Sequence, residues 1–132
     1  PIYSKKNQNF EINKIDFFGD VKVNKILSNK LNIYKNNPDS KKTFDIEINS
    51  KSLRTTLTKD KKGNPSQFSL NILVNIKISD NLNEIELETN FSESSTYDNS
   101  DNKFDLKKYE NSLTKNMTEK IYSDLILFIK TK

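Results

Sequence analysis

Lys59, Lys61 and Lys62 crowd the turn-forming run Asp60-Lys61-Lys62-Gly63-Asn64-Pro65-Ser66, and the single arginine, Arg54, is a further candidate to gather with them at that end of a hairpin. Lys107-Lys108 opens the last amphipathic segment. Clustered ammonium and guanidinium groups suit anion binding, with phosphate as the natural partner, although a lysine-rich turn also serves as an ordinary solubilising tip. A second group, Asp98-Asn99-Ser100-Asp101, offers oxygen atoms of the kind a calcium loop uses. It lacks the fixed glycine and the bidentate glutamate of an EF-hand, and Asp and Asn are the usual loop formers, so an ordinary turn is expected there. Glu84, Glu86 and Glu88 alternate and therefore share one strand face. Acid–base catalysis needs one carboxyl desolvated near another, whereas a solvated strand face needs nothing further.

The rest of the composition argues against catalysis. There is no histidine and no cysteine, which removes the commonest general base, thiolate nucleophiles and thiolate metal sites. Gly19 and Gly63 are the only glycines, too few for a phosphate-binding loop or a dinucleotide fingerprint. No cofactor, no metal and no enzymatic activity are expected. The net charge of +4, from 22 basic and 18 acidic side chains, is mild beside that of a nucleic-acid-binding arm. No apolar run approaches the roughly 18 residues of a membrane span. The chain starts at Pro1 without a signal-peptide pattern or an initiator methionine, so a segment ahead of Pro1 is expected in the full protein.

These residues must be positioned by a domain whose organising stretch is Gln67 to Ile78. Phe68, Leu70, Ile72, Val74, Ile76 and Ile78 fall on every second residue, while Ser69, Asn71, Asn75, Lys77 and Ser79 alternate opposite, with Leu73 the apolar exception. That pattern predicts a half-buried antiparallel strand in the middle of a meander. Pro1 to Asn9 is expected to be a flexible tether (1–9), ahead of a single domain over 10–132. Phe10 to Phe18 predicts a first strand with a bulge between Ile12 and Ile15. Gly19 then breaks the strand, and Asp20 caps a helix through Val23, Ile26, Leu27, Leu31 and Tyr34 that stops at Asn36-Asn37-Pro38. Thr43 to Ser50 alternates through Phe44, Ile46 and Ile48, but Leu53 and Leu57 change parity, which predicts a bulge or two short strands. Asn83 to Ser95 reads as the last strand, with an acidic outer face. From Phe104 a long helix presents Leu106, Tyr109, Leu113, Met117, Ile121, Leu125 and Phe128. The expected fold is an α+β two-layer sandwich of order β-α-β-β-β-α, a mainly antiparallel four-stranded sheet covered on one face by two helices.

Taken in order, several strings resemble the LPS-assembly lipoprotein family LptE, the outer-membrane partner of the barrel LptD. Pro1-Ile2-Tyr3 is similar to the end of the family's mature start, and Ile26-Leu27-Ser28-Asn29-Lys30-Leu31 to its first helix. Lys61 to Leu70 resembles the basic turn leading to Tyr-x-Leu, and Tyr97-Asp98-Asn99 followed by Phe104 resembles the segment before its terminal helix. The chain departs from the family in carrying mostly lysine where arginine is common and Glu93-Ser94-Ser95-Thr96 where a basic residue is frequent. The resemblance implies a non-enzymatic subunit that plugs an LptD-type β-barrel, helps it fold and contacts lipopolysaccharide, with Lys61 and Lys62, and more weakly Arg54 and Lys107, on lipid A or core phosphates. It implies an outer-membrane location on the periplasmic side, anchored through a lipidated cysteine ahead of Pro1, and no nucleic-acid partner. Asn, Ser and Thr on the outer sheet face would suit a water-filled lumen. A double-stranded RNA-binding module is the alternative, since α-β-β-β-α with lysines opening the last helix describes it too, though the glutamate-lined last strand opposes it.

Overall fold

The computed structural model describes residues 10–36, 40, 42–80, 82 and 84–132; the tether over 1–9 and the expected stop at Asn37-Pro38 lie outside them. Strands β1 (Phe10–Gly19), β2 (Lys42–Lys59), β3 (Pro65–Asp80) and β4 (Ile85–Asp98) form one sheet in the order β1-β2-β3-β4. Helix α1 (Val21–Leu31) and a short 3-10 turn (Asn32–Tyr34) link β1 to β2, and α2 (Lys103–Lys130) follows β4. All six alternating apolar residues of β3 are buried, together with Phe10, Ile12, Phe44, Ile46 and Ile48 on the same sheet face. Both helices bury their apolar stripes here, which makes a two-layer α+β domain.

The sheet is mixed. Hairpins join β2 to β3 and β3 to β4, so those pairs are antiparallel, but the excursion through α1 returns the chain in the same direction and β1 lies parallel to β2. Non-local pairing of this kind leaves no turn signal to read. The expected bulge in β1 is present, as a register shift between Ile12 and Lys14. Where β1 ends, Gly19 has φ 102°, and a Cβ there would sit 1.9 Å from the Ser50 carbonyl oxygen, so only glycine allows this approach. Asp20 then caps α1, its carboxylate accepting from Val23 N at 3.0 Å.

Three expectations need correction. The parity change at Leu53 comes from neither a bulge nor a second strand: β2 continues in register from Ser50 to Thr56 and slips only beyond it, first between Thr56 and Thr58, at Leu57, and again between Thr58 and Lys59. Beyond Ser50 the helix-side positions are Ser52 and Arg54, opposite Ile72 and Leu70, and Leu53 faces outward, half-exposed. The apolar pattern changes because helix cover thins. On α2 the fully covered stripe runs through Leu106, Thr114, Met117, Thr118, Ile121, Leu125 and Ile129, leaving Tyr109 exposed and Leu113 half-buried at its side. Glu84 precedes β4 in a turn at φ 53° rather than joining Glu86 and Glu88 on the strand.

Candidate anion-binding sites

The hairpin between β2 and β3 is built by Asp60. Its carboxylate accepts from Lys62 N and Asn64 N, both at 2.9 Å, while Gly63 N donates to the Asp60 carbonyl at 3.0 Å. Gly63 takes φ 86°, a conformation glycine adopts without strain. Three backbone N–H groups are thus fixed by one aspartate, and Lys61 and Lys62 are left pointing from an ordered turn into solvent. Neither lysine forms an ion pair among the described residues.

Arg54 does not gather at this tip. It lies seven residues back on β2, roughly 20 Å away at about 3.3 Å per residue, and its charge is already engaged. The guanidinium meets Glu110 of α2 at 3.1 Å and stands over the Phe68 ring at 4.3 Å. Glu110 also accepts from the Tyr97 hydroxyl, and Tyr97 packs on Phe68 and Tyr109, both with ring centroids 5.7 Å apart. Burial pushes the Tyr97 phenol well above the ordinary tyrosine range, and the bond to Glu110 adds to the shift. Arg54 therefore ties the long hairpin to the last helix.

Arg54 and Lys107 nevertheless border the same groove, a cavity of about 690 Å³ between the outer half of β2, the start of α1 and the first turns of α2. Sequence reasoning missed two of its cations, Lys22 and Lys103. Lys103 stands one helical turn before Lys107, a spacing that could have found it. Lys22 donates to the neutral Asn111 Oδ1 at 2.7 Å. The four predicted residues thus divide into a solvent-facing pair, Lys61 and Lys62, and a groove pair, Arg54 and Lys107.

Across the sheet, the outer face is amide-rich. Asn49, Asn75 and Asn90 lie side by side on β2, β3 and β4, and Asn75 Nδ2 donates to Asn90 Oδ1 and to Glu88 Oε2, both at 2.8 Å. The Asp98–Asp101 loop spends its polar groups on structure: Gln67 donates to Asp98, Asn99 donates to the Pro65 carbonyl, and Asn102 caps α2. No cluster of acidic residues able to hold a metal ion occurs among the described residues, and no helix there is long and apolar enough to cross a membrane.

No protein-family model matches the sequence, and no curated protein matches it. Solved structures do. The crystal structure of the rare lipoprotein B of Shewanella oneidensis aligns with a TM-score of 0.61 and 11% identity, over 90% of this chain and 98% of its own. An uncharacterised lipoprotein B of Nitrosomonas europaea gives 0.58 and 15%, over 88% and 79%. A minor lipoprotein of Acinetobacter baumannii gives 0.52 and 11%, over 85% and 91%. At these identities the likeness is one of backbone, and it establishes that the chain has the α+β fold these bacterial lipoproteins share.

Proposed function

We propose that this chain is a non-enzymatic, LptE-like subunit of lipopolysaccharide assembly, which binds and plugs an LptD-type barrel on the periplasmic side of the outer membrane and contacts lipopolysaccharide phosphates through Lys61 and Lys62. A lipidated cysteine ahead of Pro1 would anchor it. The observation that carries the reading is the fold match to the rare lipoprotein B over nearly the whole of both chains. Two features of the site agree with it: the paired lysines are held out on an ordered turn, and the row Asn49-Asn75-Asn90 suits a wet lumen better than lipid.

Co-expression with an LptD-type barrel should give a stable one-to-one complex, and a barrel that assembles and works equally well alone would reject the role. For the lysines, the measurement is binding to immobilised lipopolysaccharide over a salt series, with duplex RNA as a control. A basic residue near an anionic surface contributes about 1 kcal/mol. Reversing both in Lys61→Glu, Lys62→Glu should weaken binding by about 2 kcal/mol or more, on the order of thirtyfold, most visibly at low salt. Melting should be unchanged, because the turn depends on Asp60 and Gly63. Unchanged binding in a normally folded double variant would reduce the turn to a solubilising tip.

A further inference from the structure

The pairing of β1 with β2 ends at Gly19 and Ser50, yet β2 runs on to Lys59. Past Ser50, β2 has β3 on one side and no strand on the other among the described residues. The Ser50 carbonyl accepts from Asp20 N at 3.1 Å, so it points to the β1 side. In a strand, the N–H and C=O of alternate residues point the same way, and Ser52, Arg54 and Thr56 therefore turn their backbone groups to this open edge. The slip between Thr56 and Thr58 ends the row. A short guest strand laid here would continue the line of β1.

Its chemistry is set by the groove beside the edge. Ser52 and Arg54 lie on the helix side of β2, so every second side chain of a guest would enter the 690 Å³ cavity. The apolar surface there is Leu70, Leu106 and Val21, the last strongly exposed. Glu110 already pairs with Arg54, and Asp20 is engaged as the helix cap. Lys103 and Lys107, by contrast, have no ion pair among the described residues. Cations are thus in surplus, and a guest side chain that is short and anionic fits best. Strand addition takes its affinity from main-chain hydrogen bonds and its selectivity from the pockets for alternate side chains.

We propose that the edge of β2 from Ser52 to Thr56 is a strand-docking site for an extended, acidic segment of a partner protein, whose carboxylates enter the groove at Lys103 and Lys107. The site is separate from the lysines of the hairpin tip and does not depend on the lipopolysaccharide reading. The β4 edge of a second copy, which carries Glu86, Glu88 and Glu93, is the competing occupant.

The probe is a blocked peptide of alternating glutamate and threonine, titrated into the isotopically labelled domain and read by NMR. The amides of Ser52, Arg54 and Thr56 should shift and become protected from exchange. Replacing glutamate by lysine in the peptide, or Lys103 and Lys107 by glutamate in the domain, should weaken binding at least about tenfold. Thr56→Pro removes a donor that points away from β3, so the hairpin should persist and docking should be lost. A peptide N-methylated at alternate residues provides the same test with the domain untouched, and should not bind. Undiminished binding of that peptide, equal binding of the lysine peptide, or shifts at Lys103 and Lys107 without protection of the three amides would overturn the proposal. So would protection of those amides by concentration-dependent self-association without peptide, which would give the edge to a second copy.

Discussion

Removing the Arg54 guanidinium should cost stability rather than anion affinity, because its counter-charge comes from within the chain. The side chain is about half-exposed at 48%, and that of Glu110 is 22% exposed, so solvent screens the 3.1 Å contact in part. A pair of that kind contributes about 0.5 to 1 kcal/mol, and the cation held 4.3 Å from the Phe68 ring centroid adds about 0.5 to 1 kcal/mol. Arg54→Ala should therefore destabilise by about 1 to 2 kcal/mol, lowering the melting temperature by roughly 3 to 8 °C in a domain of this size. Glu110→Ala should cost a similar amount, since it also strands the Tyr97 hydroxyl. Because both variants break one contact, urea unfolding of wild type, the two single variants and the double variant should show a coupling energy of about 0.5 to 1 kcal/mol that shrinks with added salt. Lipopolysaccharide binding of Arg54→Ala should stay close to wild type. A coupling near zero, or lost binding with unchanged stability, would mean that the guanidinium is free to meet an external anion, and the reasoning would fail.

Two further outcomes follow from the packing. Ile121→Ala, at a fully buried position, should cost about 2 to 5 kcal/mol, whereas Leu113→Ala, at the side of the stripe, should cost about 1 to 2 kcal/mol; the reverse order in denaturant unfolding would mean that α2 is rotated from its described position. Tyr97 and Tyr122 are both raised, by burial first and then by Glu110 and Tyr34 respectively, so the unfolded chain gives up these protons at a lower pH than the folded one. Their contribution is fully present below the ordinary tyrosine value of about 10 and is lost as pH rises above it, so melting temperature should fall there and fall less in Tyr97→Phe, Tyr122→Phe.

Local features were readable in the sequence because local chemistry makes them. The alternation of β3, the Asp20 cap, the β1 bulge and the Asp60–Asn64 turn each depend on residues a few positions apart. What could not be read depends on distant neighbours. The parallel pairing of β1 with β2 has no turn to announce it, and at Leu53 the end of helix cover alters an apolar pattern as a bulge would, whereas at Leu57 the register does slip. On α2, Thr114 and Thr118 count as polar in any pattern, yet both are buried, so an apolar pattern places the stripe too far toward Tyr109 and Leu113. The site divides in the same way. Lys61 and Lys62 could be recognised as available cations because a turn exposes its own side chains. Arg54 belongs to the same basic run, but Glu110, which meets its charge, lies 56 positions later on another element. Whether a basic residue is free to bind an anion depends on whether its own fold already supplies the carboxylate. Composition and spacing therefore locate Lys61, Lys62, Arg54 and Lys107, and only the packing of α2 against β2 separates the engaged Arg54 from the others.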